Sequence, residues 1–230
     1  MRIPRIYTPQ HLAAGAVLRL EPQASQHLVR VLRSRRGAEL RLFNGDGSEY
    51  RAELKVASPK AAEVEISEML WQHEPPAFSI HLGICLSKGD RVDQVMQKAT
   101  ELGVATVSTL QSQRSSARLD DKRRMRKLEH WGGIVRAAAE QCGRCYLPAL
   151  HGVEPLQDWV DRRPETLKLV LDHRARNGLP SASNPDSAAL LIGPEGGLAA
   201  AEIDAALSAG FVAVALGPRV MRTETAPAAA

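Results

Sequence analysis

Ile192-Gly193-Pro194-Glu195-Gly196-Gly197-Leu198 follows an apolar run at 188–192 and precedes a helical stretch at 199–209 that Gly210 closes. A second turn, Leu216-Gly217-Pro218-Arg219, follows the apolar residues 212–216. Glycines let backbone amides and carbonyls come close to a ligand. Neither turn fits G-x-G-x-x-G or G-x-x-x-x-G-K-[ST], so dinucleotide and P-loop sites are not supported. Spacing alone is equally consistent with two tight strand-to-helix turns. The next segment, Arg219-Val220-Met221-Arg222-Thr223-Glu224-Thr225, tips the reading. It packs two guanidiniums, two hydroxyls and a carboxylate into seven residues. That density at the carboxyl end of a strand points to a ligand crevice.

Working back toward the N-terminus, the same rhythm persists. Residues 78–86 read as a buried strand. Residues 90–102 carry Val92, Val95, Met96, Ala99 and Leu102 at helical spacing, with Gly103 at the end. Strands are expected at 104–110, 166–171 and 188–192, and a long helix at 120–141. Alternating strands and helices mean an α/β domain with a mostly parallel sheet. Before His73-Glu74-Pro75-Pro76 the pattern differs. Short strands at 17–20, 38–43, 49–56 and 62–69 surround a helical stretch at 22–32. Asn44-Gly45-Asp46-Gly47 is a hairpin turn. Strands so spaced predict a small β-barrel. The domains are therefore 1–72 and 73–230.

The chain has 230 residues, 44% hydrophobic and 24% charged, as in an ordinary globular protein. No apolar run nears the roughly 20 residues of a membrane helix. Residues 1–5 lack the apolar core of a signal peptide, so a cytoplasmic location is expected. The net charge of +4 is weak evidence for a partner, but the basic residues are 23 Arg against 7 Lys. Arginine offers a planar fork for phosphates and bases. Cys85, Cys142 and Cys145 are too few for a disulfide framework, and Cys142-Gly143-Arg144-Cys145 lacks the further ligands zinc needs. No metal is expected.

The two glycine turns together with Arg219–Ala226 resemble the C-terminal signature of the knotted SPOUT methyltransferases. More closely, the chain resembles the RsmE family, which methylates N3 of a uridine in 16S ribosomal RNA. The resemblance extends to residues 1–7, 27–33, 37–50, 88–103 and 136–144. It implies a PUA-like RNA-binding β-barrel followed by an α/β SPOUT domain with a deep C-terminal trefoil knot, acting as a homodimer. It implies S-adenosylmethionine as the methyl donor, held by Gly193, Glu195, Gly196, Gly197, Leu216, Gly217, Met221 and Thr223. Leu171 and Asp172 join that set by their place at a strand end. The family continues into a C-terminal helix beyond Ala226-Pro227-Ala228-Ala229-Ala230, so a truncated tail is expected to shorten the knot and the cofactor wall.

Uridine N3 becomes a nucleophile only when its proton leaves, and the charge then spreads onto O2 and O4. Arg222 or Arg219 is the expected stabilising cation, and Glu224 or Glu195 a candidate base. A pair between Glu224 and a neighbouring arginine explains Glu224 equally well. Arg2, Arg5, Arg30, Arg33, Arg35 and Arg36 form the expected RNA-binding cluster of the barrel. The partner is 16S ribosomal RNA or the assembled small subunit, with no membrane. N3 lies on the Watson–Crick edge, so the target must be unpaired or flipped out. A methyltransferase acting elsewhere on RNA and a noncatalytic RNA-binding protein of this fold remain as alternatives. Mapping the methylated base separates the first, and cofactor binding the second.

Overall fold

The computed structural model describes residues 3–115, 119–180 and 185–230. The chain forms two units, Met1–Pro75 with Ala139–Leu147, and Pro76–Ala138 with Pro148–Ala230. The division after Pro75 lies three residues beyond the expected one. Sequence pattern gave no sign that residues 139–147 belong with the first unit.

In the first unit, β1 (Arg5–Tyr7), β2 (Val17–Arg19), β3 (Glu39–Phe43), β4 (Ser48–Val56) and β5 (Glu63–Gln72) form one sheet in the order β1-β3-β4-β5-β2. β1 runs parallel to β3 and the other pairs are antiparallel. Ile6 of β1, Leu40 and Leu42 of β3, Leu54 of β4, Val64 and Ile66 of β5 and Leu20 beyond β2 share one buried core. The sheet therefore curls around that core, but β1 and β2 are its unpaired ends, so hydrogen bonds do not close the expected barrel. The helical stretch at 22–32 is two pieces, α1 (Pro22–Gln26) and a π-helical turn, His27–Val31. Leu32 N donates to His27 O, five residues back, and Arg33 ends the turn at φ 53. A left-handed backbone at a residue with a Cβ is uncommon.

Arg5 departs most from its expected role. Its side chain is 8% exposed. Its guanidinium bonds Glu49 Oε2 at 2.7 Å and Ala139 O at 2.6 Å and lies 4.5 Å from the Phe43 ring centroid. Glu49 also accepts from Arg41. A guanidinium so enclosed holds the chain around Cys145 against β4 and cannot reach RNA.

In the second unit, β6 (Ser79–Cys85), β7 (Thr106–Gln111), β8 (Ala149–Pro155), β9 (Leu167–Leu171), β10 (Ser187–Ile192) and β11 (Val212–Val214) form a parallel sheet. Its order is β11-β9-β10-β6-β7-β8. The helices are α2 (Arg91–Glu101), α3 (Asp121–Cys142), α4 (Leu156–Asp161), α5 (Ala200–Ser208) and α6 (Ala226–Ala229). β1, β8 and α4 have no counterpart in the sequence reading. β1 is three residues long, β8 is a half-buried edge strand containing Gly152, and α4 is under two turns. Such elements carry too few positions for a period to show.

Trp159 of α4, Ile203 and Ala206 of α5 and Phe211 pack with Val170, Ala189, Leu191 and Leu110 of the strands. A Cβ at Gly83 would stand 2.7 Å from the Trp159 ring, so only glycine lets the indole lie against β6. Helix α2 buries Val92, Val95, Met96 and Ala99, as its spacing predicts, but Leu102, which the same spacing includes, is its C-cap and 60% exposed. Asp93 joins α2 to α3 through Trp131 Nε1 at 2.9 Å and His130 Nε2 at 2.7 Å.

Beside Trp159, His81 is enclosed by Ser108 Oγ at 2.9 Å, Glu165 Oε1 at 3.2 Å and the Arg163 guanidinium. Burial first, then the charges of Arg163 and His151, push its pKa from 6.5 down to about 3. In that window the unfolded chain binds a proton that the folded chain does not, so stability falls as pH drops below 6.5. Urea unfolding at pH 7, 6 and 5 should show this loss. The His81→Asn variant should show a slope shallower by up to about one proton, or ~1.4 kcal/mol per pH unit.

Candidate ligand-binding site

The sheet order reverses at β10. β6, β7 and β8 step outward in one direction, β9 starts on the other side, and β10 enters between β9 and β6. Ligands of parallel α/β sheets bind outside the carboxyl ends of the strands at such a reversal. A cavity of about 600 Å³ lies there. Its wall includes Leu171 at the end of β9 and Asp172 after it, Ile192 at the end of β10 and Val214 at the end of β11. Gly193, Glu195, Gly196 and Gly197 form one side, and Leu216, Met221 and Thr223 another. Nine of the ten expected cofactor residues are thus brought together from three strand ends.

The tenth, Gly217, is not in the wall. With φ 78 it turns the chain after β11, a conformation that favours glycine. Gly197, at φ 67, does the same within the first turn, and a Cβ there would meet nothing within 4 Å. Gly193 is required for another reason. A Cβ on it would come within 3.0 Å of Leu198 N, so the turn folds back on its own backbone. Gly196 has only ordinary contact with Arg114, at 3.6 Å, so its lack of a side chain is the least demanding of the four.

Arginines from two other elements hold the first turn. Arg114 Nη1 donates to Gly196 O at 2.8 Å and approaches Leu198 O at 3.4 Å. Arg91, the first residue of α2, pairs with Glu195, which also accepts from Lys88 N at 2.7 Å. Burial alone would raise the Glu195 carboxyl. Its backbone hydrogen bonds and the Arg91 charge outweigh that and hold it below the usual carboxylate range. So engaged, Glu195 braces the turn and is unsuited to act as a base. Asp172 is similar: burial opposes ionisation, but two hydrogen bonds and the charge of Arg174 lower its pKa.

Glu224 also departs from expectation. It is absent from the cavity wall, while Arg91 is part of it. Its carboxylate is 16% exposed and faces Arg91 Nε at 3.6 Å, with Arg222 Nη1 at 3.9 Å. The expected base is thus a partner of Arg91, which gathers Glu195 and Glu224 around one cation. Arg222 does line the cavity and is 85% exposed. Glu224 therefore pairs with both arginines, and Arg91 also reaches Glu195. Nothing in the spacing of 88–103 marked Arg91, because its partners lie more than 100 positions away in the chain.

Of the expected RNA-binding cluster, Arg30, Arg33, Arg35 and Arg36 are exposed around the π-helical turn, with Val31 64% and Leu32 42% exposed among them. None of the four forms an ion pair among the described residues. Arg2 lies outside the described residues, and Arg5 is buried as above. No three His, Cys, Asp or Glu side chains group as metal ligands among the described residues. No described helix is long and apolar enough to cross a membrane.

By comparison with known proteins, this fold and crevice fall in the class of RNA methyltransferases. Residues 73–230 match the RNA methyltransferase domain and residues 17–67 the RNA methyltransferase PUA domain. Ribosomal RNA small subunit methyltransferase E of Bacillus subtilis is 32% identical, covering 96% of this chain and 90% of its own. That of Buchnera aphidicola from Schizaphis graminum is 33% identical, covering 100% and 94%. A methyltransferase from Legionella pneumophila, solved with bound S-adenosylmethionine, is 38% identical with a TM-score of 0.94, covering 100% of this chain and 95% of its own. Ribosomal RNA small subunit methyltransferase E from Neisseria gonorrhoeae, bound to S-adenosylmethionine, is 33% identical with a TM-score of 0.89 and covers 99% and 94%. The chain belongs to the ribosomal RNA small subunit methyltransferase E family, the RsmE family of the sequence reading.

Arg91→Met should release the segment after β11 from α2. Losing a partly exposed ion pair of about 1 kcal/mol should speed amide hydrogen exchange across 219–225 roughly five-fold. Exchange across β3 to β5 should not change.

Proposed function

We propose that the chain transfers a methyl group from S-adenosylmethionine to N3 of a uridine in 16S ribosomal RNA of the small subunit. The observation that carries this reading is the cavity of about 600 Å³ at the reversal of the sheet. Support also comes from the likeness, along nearly the whole chain, to two methyltransferases solved with that cofactor.

The residues present fit the group. The wall is strand-end backbone and glycine, left bare at Gly197 and turned by Arg114 and Arg91. Leu171, Asp172, Gly193, Glu195, Gly196, Gly197, Leu216, Met221 and Thr223 would hold it. When bound, it supplies an electrophilic methyl on a sulfonium. The chain's own task is alignment and charge. Arg222 and Arg219 are exposed beside the cavity and stand where negative charge on the uracil ring needs a cation. Glu195 and Glu224 are both committed to Arg91, so the N3 proton leaves to solvent. Arg30, Arg33, Arg35 and Arg36 of the PUA-like unit bind phosphates.

The trefoil knot and the homodimer belong to the same proposal. β11 lies at one edge of the sheet, beyond β9 and β10 from β6, yet α6 packs on α2, which follows β6. The connecting segment therefore crosses the strand ends. Ala215 N meanwhile bonds Asn177 O, so the chain after β11 lies against the segment after β9. Val220, 73% exposed at the cavity's edge, is apolar surface that a second copy would cover.

The test is incubation with labelled S-adenosylmethionine and unmodified ribosomal substrate, then identification of the product nucleoside. N3-methyluridine is expected, and any other nucleoside overturns the assignment of position. Arg222→Ala should lower the single-turnover rate roughly 10²–10³-fold. Arg222→Lys should recover part of that, and higher pH should partly rescue the alanine variant. A loss explained wholly by cofactor affinity would remove Arg222 from the chemistry. Arg30→Ala with Arg33→Ala should weaken RNA binding and flatten its dependence on salt, because fewer counterions are released. Calorimetry should find cofactor affinity unchanged.

A further inference from the structure

A second cavity, of about 420 Å³, opens at the carboxyl ends of β7 and β8. Gln111, Gln113 and Ser115 wall it from the end of β7 and the loop that follows. Leu156 and Gln157 close it from α4, and Glu202 from the first turn of α5. Among the described lining residues the only ionisable group is Glu202, which is 8% exposed. Its Oε1 accepts from Gln113 N at 2.7 Å and its Oε2 from Ala199 N at 2.8 Å. An incoming phosphate would find no cation among the described lining residues. A cation would have to compete with two backbone amides for Glu202.

What the cavity offers is neutral. Three side-chain amides and the hydroxyls of Ser112 and Ser115 stand over the apolar Leu156. The two hydroxyls are 2.9 Å apart and bond each other. Gln111 is different: its Oε1 is buried without a hydrogen-bond partner, and its Nε2 makes only a 3.4 Å contact with Ser112 O. Its Nε2, so loosely held, is available to donate to a ligand. A flat, uncharged ligand with neighbouring donors and acceptors answers all of this, and glutamine amides pair with base edges in that way. The cavity also shares its loop with the first site, since Arg114, next to Gln113, holds Gly196 O.

Resting on the reading of the chain as an RNA methyltransferase, we propose that this second cavity binds an unpaired base of the RNA substrate other than the base that is methylated. Recognition there would select the sequence or loop around the target without contributing to methyl transfer itself.

Two variants test it. Gln111→Met removes the amide at similar volume, and Ala201→Phe, at an exposed position of α5 on the cavity wall, fills the space. The probe is unmodified 16S ribosomal RNA, naked or in the subunit, whichever the wild-type chain methylates. RNA binding is measured without cofactor over a salt series, and S-adenosylmethionine binding by calorimetry. Each variant should bind RNA roughly ten-fold more weakly, the size of one lost base contact. The salt slope should not change, because no phosphate contact is removed. Cofactor affinity should stay within about two-fold, a margin well below the effect of one lost contact. If Gln111→Met fails to fold, Ala201→Phe carries the test. Normal RNA affinity in the folded variants, with a wild type that methylates, overturns this proposal alone. A wild type that binds no cofactor and methylates no RNA overturns the methyltransferase reading, and this proposal with it.

Discussion

β10 is paired on both edges, to β9 and to β6, and five of its six residues are buried. A strand so enclosed can release its chain only at its carboxyl end, in the middle of the sheet. There the chain meets the ends of β9 and β11 on one side and the start of α2 on the other. The turn at 193–198 must reverse in that confined place. Gly193 tolerates no side chain against Leu198, and Gly197 adopts a left-handed backbone. The crevice is thus a consequence of where β10 enters, and the charged residues around it serve to hold an exposed backbone turn still.

Arginine does two kinds of work in this chain, and the acceptors within reach, not burial, separate them: Arg114 is exposed yet holds Gly196 O. Arg5, Arg91 and Arg114 each tie distant segments together, through Glu49 and Ala139 O, through Glu195 and Glu224, and through Gly196 O. Arg30, Arg33, Arg35, Arg36, Arg219 and Arg222 point their forks at solvent. The planar guanidinium suits both tasks, since it satisfies several acceptors at once when enclosed and reads phosphate or a ring anion when open. Composition alone cannot sort them. Arg5 sits in a basic N-terminal stretch and looks like a phosphate contact, yet its charge is neutralised by a carboxylate 44 positions away.

The carboxylates follow the same logic. Glu195 and Glu224 lie near the reacting centre in sequence and invite a catalytic reading. In the fold, one cation takes both. Glu195, whose charged form is stabilised by Arg91 and by backbone amides, is a poor proton acceptor at neutral pH. In the proposed reaction the exposed guanidiniums of Arg219 and Arg222 would meet the developing charge, while Glu195 and Glu224 pair with Arg91.

Residues 188–192 with their glycine turn, the helical spacing of 90–102 and the Asn-Gly-Asp-Gly hairpin each declare their element by local pattern. The change of rhythm at residues 73–76 likewise announces two domains, and the C-terminal motif announces the family. Those features were legible because period and turn chemistry are local, and because nine of the expected residues that line the cavity lie at strand ends or in turns the pattern marks. Tertiary structure alone decided the rest. The order β11-β9-β10-β6-β7-β8, the docking of residues 139–147 on the first unit and the pairing of Arg91 with Glu195 all join positions far apart in the chain. Whether an arginine is a brace or a ligand contact depends on which carboxylate or carbonyl the fold brings to it, and no local pattern carries that information.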